Sequence, residues 1–365
     1  MNSGPVGIAI VGAGVISQQY LTMLSACPDT NVIAVADLDV DRAKAVAQQH
    51  GVPVGGDVDS VLARSEVELV VNLTIPAAHA QVATAALQAG KHVYGEKPLT
   101  LLREDGEKVL AEAASRGLQV GNAPDTFLSA GFQSAKRAIS SGAIGTPVAA
   151  VTAMQSFGPE RWHPGPEFLF QHGGGPLLDM GPYYLTALVA LLGPVTQVAG
   201  TARKGRAERV IGSGPRAGTR FAVEVPTHVS ALIDFVAGST ASSVFSFDSP
   251  LPRSQMEITG TEATLSLPNP NTFEGALRIR RSDDDWQELP VTGTTAGRGL
   301  GVVEMARSLR NQAPPRASGE LALHVLDAML AIGTSAEQST FVPLTPAQVE
   351  PEPLPEDWDP HASTL

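Results

Sequence analysis

The sequence feature that most constrains the fold is a glycine-containing turn near the start of the 365-residue chain. A short apolar run, Val6–Val11, leads into Gly12, Gly14 and Ser17, and a helix-like stretch continues to about Ser25. In such a strand–turn–helix unit, the first glycine permits a tight turn and the second lets the backbone approach a pyrophosphate. The third position holds a small residue so that helix and strand pack closely, and serine fits there by size. The pattern predicts a parallel sheet whose first strand leads into a phosphate-binding helix N-terminus.

A carboxylate follows the second predicted strand, where a dinucleotide-binding fold places the acid that binds a ribose. Residues 32–36 end in Asp37, which lies 23 residues after the second glycine of the turn, close to the expected spacing. Alternatively, Asp37 caps the next helix, although Asp39 or Asp41 could do so instead. A carboxylate here repels a 2′-phosphate, so we expect NAD in preference to NADP, while Arg42 could still accept that phosphate.

Alternating strands and helices continue to about residue 124. Helices are predicted at residues 40–50, 58–64, 77–89 and 103–116, and strands at residues 68–73 and 117–121. Thr74 and Pro76 lie in the loop after the strand at 68–73, close to the expected position of a nicotinamide. His79 is interpreted as a residue at the N-terminal end of a helix rather than a catalytic one. The predicted dinucleotide contacts are Gly12, Gly14, Val15, Ile16, Asp37, Arg42, Thr74, Pro76, His79, Glu96, Lys97 and Asn122.

A lysine lies just beyond another predicted strand of this region, in the sequence Glu96-Lys97-Pro98. Ligands of open parallel sheets bind beyond the carboxyl ends of the strands. Lys97 is therefore a candidate for a positioned cation that polarises a substrate oxygen or exchanges a proton. Alternatively, Glu96 and Lys97 form a solvated pair on the surface, as most charged residues do.

The regular alternation of strands and helices ends after a helix predicted at residues 127–141. A strand at 148–157 is followed by a loop rich in proline, glycine and aromatic residues, which contains Trp162 and His163. Three glycines and a proline then precede a helix that carries Asp179 and Tyr183, four residues apart and so on one face. An acid and a phenol so placed, with a lysine, are a credible proton-transfer set for alcohol oxidation. Alternatively, Asp179 caps the helix and Tyr183 packs in an interface.

Short strands with short connections dominate residues 195–289 and predict a largely antiparallel sheet. Helices are expected at residues 301–311 and 318–338, and a proline- and acid-rich tail from 343 reads as a peripheral arm. The chain is expected to form three parts: residues 1–124 bind a dinucleotide, residues 125–340 bind substrate and mediate oligomerisation, and residues 341–365 form the arm. The sequence contains no internal repeat and no metal-binding motif, so no metal is expected.

Composition restricts the classes of partner and the expected location. The hydrophobic content of 43% and the charged content of 17% indicate a globular protein. A net charge of −12 with a pI near 5.1 makes nucleic acid and anionic membranes poor partners. One cysteine, Cys27, cannot form an internal disulfide, the first residues do not resemble a signal peptide, and no apolar run reaches the length of a bilayer span. A cytoplasmic protein is expected.

Three of these motifs together resemble the Gfo/Idh/MocA oxidoreductase family. They are the glycine turn, Glu96-Lys97-Pro98, and the three glycines followed by Asp179 and Tyr183, and their order and spacing match over residues 6–335. The resemblance implies an α/β fold with an N-terminal Rossmann dinucleotide-binding domain and a C-terminal α/β domain whose sheet is open and mostly antiparallel. It also implies oxidation or reduction of hydroxyl groups on sugars, inositols and related polyols with NAD or NADP. Lys97 resembles the catalytic lysine and Asp179 the substrate-binding acid.

The sequence departs from many family members at Tyr183, where they have histidine. Tyrosine resembles the glucose–fructose oxidoreductase and dihydrodiol dehydrogenase branches instead. A tyrosine, whose ordinary pKa is about 10, would need a lowered pKa to act as a base at neutral pH, and a neighbouring lysine cation could lower it. We therefore expect an NAD(P)-dependent sugar or polyol dehydrogenase that forms a dimer or tetramer. The alternatives are a glycoside-cleaving enzyme that oxidises its sugar transiently, and a non-catalytic dinucleotide-binding regulator.

Overall fold

The apolar runs at the start of the chain form a six-stranded parallel sheet in the computed structural model, which describes residues 4–345 and 347–365. Its strands are β1 (Val6–Val11), β2 (Thr30–Ala36), β3 (Val54–Gly56), β4 (Leu69–Asn72), β5 (His92–Gly95) and β6 (Val120–Asn122). The helices between them are α1 (Ser17–Ser25), α2 (Val40–Gln49), α3 (Val58–Leu62), α4 (His79–Gln88) and α5 (Arg103–Ser115). The strand order β3-β2-β1-β4-β5-β6 changes direction between β1 and β4, the point at which doubly wound sheets bind ligands.

Burial of the two central strands, β1 and β4, explains why their sequences are continuous apolar runs. Every residue of β1 and β4 is buried, as is usual for parallel strands, which are covered on both faces. The core beneath them consists mainly of valine, alanine and leucine from the strands and helices, among them Ala9, Val70 and Leu87. These small side chains let the helices pack closely on both faces of the sheet. With both faces covered, a ligand is expected to bind beyond the carboxyl ends of the strands.

A second sheet, of nine strands, follows β6 in the chain. It comprises β7 (Pro147–Gln155), β8 (Val195–Arg203), β11 (His228–Phe235), β12 (Thr240–Ser246), β13 (Arg253–Gly260), β14 (Thr264–Ser266), β15 (Leu277–Arg280), β16 (Gln287–Leu289) and β17 (Val342–Pro343). A separate pair is formed by β9 (Glu208–Val210) and β10 (Arg220–Ala222). The order is β16-β15-β14-β13-β7-β12-β11-β8-β17, and β7–β12 is the parallel pair among otherwise antiparallel neighbours. The predicted fold class, with an open and mostly antiparallel second sheet, is confirmed.

Helices α6 (Ala130–Ser140) and α7 (Gly175–Leu192) belong to this second part, as do residues 324–338 of the last helix of the chain. Helix α7 lies against β7, β11 and β12. Among the described residues, α7 is the one helix that is long and apolar enough to cross a membrane, with a mean hydropathy of 1.2 over 18 residues. The expectation that no apolar run reaches that length was therefore wrong, but 83% of α7 is buried within the protein, as in the core helix of a water-soluble fold.

The chain returns to the first sheet before it ends. Helix α8 (Leu300–Arg310) lies against β6 and α1, and α9 (Gly319–Gln338) follows it. One compact unit comprises Met1–Ser129, Gly293–Leu323 and Leu354–Leu365, and the other comprises Ala130–Thr292 and His324–Pro353. This division differs from the predicted ranges 1–124, 125–340 and 341–365, because two later segments rejoin the first unit. Local sequence patterns contain no signal for such a return.

Candidate active site

The glycine turn has the geometry of a phosphate-binding loop. Gly12 has a φ of +106°, and a Cβ there would lie 2.6 Å from the carbonyl oxygen of Leu73, so only glycine fits. A Cβ on Gly14, in contrast, would meet no atom of the described residues within 4 Å. Gly14 is exposed, and its carbonyl oxygen accepts the Ser17 hydroxyl at 2.7 Å. The open space over Gly14 is what a pyrophosphate needs in order to approach the backbone.

The N-terminus of α1 faces this open space with backbone groups only. Ile16 occupies the position before the helix and has an apolar side chain that cannot cap it, while Val15 is 89% exposed. The first N–H groups of a helix have no partner within the helix, and they carry the positive end of its dipole. Gly12, Gly14, Val15 and Ile16 therefore form a cradle that fits the phosphates of a dinucleotide.

Asp37 lies at the carboxyl end of β2 and is 8% exposed. Its carboxylate accepts the N–H of Ala13 at 2.7 Å, the N–H of Asp39 at 2.9 Å and the guanidinium of Arg42 at 2.5 Å. Burial raises the pKa of Asp37, but the hydrogen bonds from Arg42 and the two backbone groups outweigh burial and lower it. Asp37 is therefore an anion fixed against the glycine turn. Asp39 caps α2 by accepting the N–H of Arg42 at 3.0 Å.

Arg42 is bound to the carboxylate that it was expected to compete with. Its side chain is 51% exposed and also lies 3.7 Å from Asp39. An arginine held between two carboxylates is already neutralised, so it accepts a 2′-phosphate only after leaving Asp37. This arrangement favours a ribose with two hydroxyl groups.

The loop after β4 is fixed by a buried histidine. The ring of His79 is 2% exposed, with Nδ1 2.7 Å from the carbonyl oxygen of Pro98 and Nε2 3.0 Å from that of Thr74. Burial lowers the pKa of His79, so the ring is neutral at physiological pH and donates to one of the two oxygens. These two contacts give His79 a positioning role between two loops, and its contact with the cofactor stays a prediction. Thr74 and Pro76 stay partly accessible beside it.

Hydrogen bonds to β4 and from α1 hold the turn that carries Lys97. The N–H of Glu96 donates to Asn72 at 2.9 Å, which extends the β4–β5 pairing, and the Tyr20 hydroxyl donates to Glu96 Oε1 at 2.8 Å. Glu96 Oε2 accepts the N–H of Lys97 at 3.1 Å. Glu96 and Lys97 are both partly buried, and the Lys97–Pro98 peptide is cis. The turn is therefore a positioned element of the sheet edge and not a solvated surface pair.

Buried polar groups that the sequence reasoning missed lie behind this turn. Asp125 is fully buried, and its Oδ2 accepts the N–H groups of Gly299 and Gly301 at 3.0 Å each, at the start of α8. Among the residues that the structure describes, Tyr94 Oη, Asp125 Oδ1 and Asn122 Oδ1 have no hydrogen-bond partner. Burial raises the pKa of Asp125 and that of Tyr94. Asn122 itself is 4% exposed and donates to the carbonyl oxygen of Ala123 at 2.6 Å, so its side chain orders the end of β6.

Asp179 and Tyr183 lie one turn apart on α7, as predicted from their spacing. Asp179 is partly buried and Tyr183 is 6% exposed. Gly174 precedes the helix, and a Cβ there would lie 2.6 Å from the carbonyl oxygen of Phe168. The glycines before α7 therefore allow the preceding loop to pack directly against the helix start. These two residues belong to the second unit, whereas Lys97 belongs to the first.

The parts of the chain that the structure describes contain no group of three or more His, Cys, Asp or Glu residues placed to hold a metal ion.

The sheet order, the glycine turn and the acid after β2 define a dinucleotide-binding protein of the Rossmann class. Residues 6–123 match the model of the oxidoreductase family with an NAD-binding Rossmann fold, and residues 132–266 match the C-terminal domain model of the Gfo/Idh/MocA family. The chain belongs to the Gfo/Idh/MocA family of NAD(P)-dependent oxidoreductases, which confirms the resemblance seen in the sequence.

Relatives and solved structures agree with this assignment. A dTDP-3,4-didehydro-2,6-dideoxy-alpha-D-glucose 3-reductase of Streptomyces antibioticus is 30% identical over 300 residues, which cover 80% of this chain and 85% of the relative. A trans-1,2-dihydrobenzene-1,2-diol dehydrogenase of Bos taurus is 26% identical over 306 residues, covering 82% and 86%. A crystal structure of an NAD binding oxidoreductase from Klebsiella pneumoniae has the same fold, with a TM-score of 0.82, 22% identity, and coverage of 94% and 100%.

Proposed function

We propose that the protein is an NAD-dependent dehydrogenase or reductase that moves hydride between the cofactor and a hydroxyl-bearing carbon of a sugar, sugar derivative or polyol. The observation that carries the proposal is the Lys97 turn, which Glu96 and Tyr20 hold at the carboxyl edge of the Rossmann sheet. The names of the relatives support the substrate class, because they denote a nucleotide-sugar reductase and a diol dehydrogenase. Residues up to 129 are proposed to bind the cofactor, and the second unit to bind the substrate.

The residues of this chain divide the work. Gly12, Gly14, Val15 and Ile16 would hold the pyrophosphate, and Asp37 would accept the ribose hydroxyls. When bound, the nicotinamide supplies the carbon that accepts or returns hydride.

In this proposal Lys97 polarises the oxygen of the reacting carbon, and Tyr183 takes or returns the hydroxyl proton. Asp179 accepts a hydrogen bond from an adjacent hydroxyl and so fixes which carbon reacts. A cytoplasmic location and a homo-oligomer formed through the open second sheet are part of the same proposal.

The test is turnover with a panel of sugars and polyols, followed by the absorbance of reduced nicotinamide, for wild type and Lys97→Ala. The variant should lose about 10²–10⁴ in kcat and keep its affinity for NAD within a few-fold. Lys108→Ala is a matched control, because that lysine is 74% exposed on α5. Near wild-type turnover of Lys97→Ala would contradict the role, and outright loss of NAD binding would make Lys97 a cofactor ligand instead. A cofactor that copurifies and never exchanges would favour transient oxidation in a glycoside-cleaving enzyme.

A further inference from the structure

Residues 157–171, here named the aromatic loop, connect β7 to α7 and expose large rings. Trp162 is 68% exposed and Phe168 is 47% exposed. The ring of His163 lies between them, with centroids 5.5 Å from Trp162 and 5.4 Å from Phe168 and interplanar angles of 69° and 70°. The three rings form a continuous edge-to-face row. Exposed aromatic clusters of this kind commonly mark a binding surface.

The exposure of these rings does not come from a loosely held loop. Arg209, 5% exposed, donates to the carbonyl oxygen of Phe157 at 3.1 Å and to the carboxylate of Glu160 at 2.5 Å. The same guanidinium also pairs with Asp248. The carbonyl oxygen of Glu160 accepts the N–H of Gly212 at 2.7 Å. Buried charged groups thus anchor the base of the aromatic loop, so its exposed rings are presented in a fixed arrangement.

The aromatic loop lies at the end of α7 that carries Asp179. Leu169 and Phe170 are buried in a small cluster against which Met180, the neighbour of Asp179, packs. Phe168 contacts the helix start through its carbonyl oxygen, which leaves no room for a Cβ on Gly174. The loop that carries the row of rings is therefore packed against the first turns of α7.

We propose that Trp162 and Phe168 form a stacking surface for a carbohydrate ring whose hydroxyl groups reach Asp179. The inference rests on the proposed function and names a specificity-determining surface for it. One face of a pyranose presents C–H groups that pack on aromatic rings, whereas its rim presents hydroxyl groups. His163 suits that rim, because its Nδ1 accepts the N–H of Gly165 at 3.1 Å and the proton of the neutral ring is then on Nε2.

The chain offers a direct test, because Trp162, Trp286 and Trp358 are its three tryptophans. In the variant W286F/W358F, the emission of Trp162 should change saturably when substrate sugars are added with NAD⁺, at a midpoint near the KM of each sugar. The variant W162F should show no such change. An emission of Trp162 that ignores sugars which the enzyme turns over would overturn the inference and leave the proposed function standing. A saturable response without any turnover would support the stacking surface and contradict the proposed reaction.

Side-chain truncation gives a second readout. Trp162→Ala and Phe168→Ala should each raise KM for the sugar about 10- to 100-fold, as loss of a central aromatic contact does, with kcat and NAD affinity within a few-fold. Trp162→Phe should keep most of the affinity, and Trp286→Ala, which removes a ring 38% exposed in another loop, should change neither constant. Circular dichroism checks folding, and the emission test covers a variant that fails to fold. An unchanged KM with an altered oligomeric state would overturn the inference and assign the surface to a second copy of the chain.

Discussion

Asp37 sets the cofactor preference through its partners. Because its carboxylate faces the glycine turn and holds Arg42 at 2.5 Å, wild type should bind NAD better than NADP. Asp37→Ala removes an acceptor for the ribose and releases Arg42 for a 2′-phosphate, so the preference should narrow by about 1–3 kcal/mol. Dissociation constants for both cofactors measure it. Asp41→Ala is the control, since Asp41 is 97% exposed and lies on α2, the helix that also carries Arg42. Tighter binding of NADP than of NAD by wild type would contradict this prediction and show that Arg42 binds the 2′-phosphate.

Tyr183 is either an acid/base group or a wall of the substrate site. Tyr183→Phe keeps the ring that is 6% exposed and removes one hydroxyl, so an acid/base role predicts a fall in kcat of about 10²–10⁴ and loss of one limb of the pH–rate profile. Tyr183→His should restore part of the activity, because imidazole titrates near neutral pH. Full activity of Tyr183→Phe, or an unchanged profile with chemistry rate-limiting, would leave the proton to Lys97 alone.

Single residues were predictable where their role depends on near neighbours. Asp39 as a helix cap follows from a position three residues before its partner Arg42. The pairing of Tyr20 with Glu96 spans 76 positions, and that of Asp125 with Gly301 spans 176. No local pattern encodes such distances. The buried groups behind Lys97 were missed for this reason, although Asp125 could have been suspected from its place just after a strand end.

Helices and strands were predicted best where the apolar residues follow a single helical or strand periodicity. β1 was predicted with the bounds that the structure shows, and α5 to within one residue. Within the predicted region of short strands, residues 195–289, β11 begins only at His228, two residues after Pro226, which lacks the N–H that a strand interior needs. The helix expected at 127–141 begins at Ala130, because residues 126–128 form a separate 3₁₀ turn. Proline chemistry and helix-start geometry thus shifted boundaries without changing the type of element.

The attachment of α8 to the loop before β2 depends on a buried ion pair. Asp29 is fully buried and accepts Arg307 Nε at 2.7 Å and the hydroxyl of Thr364 at 2.7 Å. Burial raises the pKa of Asp29, but the hydrogen bonds from Thr364 and Arg307 outweigh burial and lower it. A lowered folded pKa means that this stabilisation is complete above the unfolded value of about 3.9 and is lost as pH falls through the folded value.

Asp29→Asn should therefore lower the free energy of unfolding at neutral pH by about 3–5 kcal/mol, since it leaves the Arg307 charge buried without its carboxylate. Urea unfolding at several pH values measures this. The difference from wild type should begin to shrink as pH drops below about 4, where the carboxylate of the unfolded wild type takes up a proton, and it should be lost once pH has fallen through the lower folded pKa. Asp105→Asn, in an exposed pair with Lys108, should have little effect at any pH. A constant difference across the acid range would show that packing, not charge, sets the cost.

At the scale of the whole molecule, the sequence did not predict which of the two units each C-terminal segment joins. The proline- and acid-rich tail looked like one peripheral arm, yet Val342–Pro343 pairs with β8 while Thr364 and Leu365 bind Asp29 in the first unit. A strand of two residues has no periodicity to recognise, and a tail that ends in contacts with residue 29 has no local sign of them. Family resemblance supplied the fold class because it matches motifs spread over both units.

The outer face of the nine-stranded sheet leads to the last prediction. Leu232 and Val151 are 51% and 48% exposed. Both are register partners of Ser242 on β12, and directly opposed residues point to the same face. Ala199, the partner of Leu232 on β8, extends this row with another small uncharged side chain. On β13 the row reaches Glu257, the partner of Val151, so its uncharged part runs from β8 to β7. An exposed, uncharged stretch of sheet favours docking of a second copy of the chain.

Leu232→Asp combined with Val151→Asp should therefore convert a dimer or tetramer into smaller species, because the new charges would be buried at the interface without partners. Each subunit should stay folded, since both side chains are about half exposed in the single chain. Sedimentation velocity gives the oligomeric state and circular dichroism the fold. Val210→Asp is a matched control, because Val210 is 45% exposed in the separate β9–β10 pair. A wild type that sediments as a monomer, or a double variant that keeps the wild-type oligomer, would show that this face is not where subunits meet.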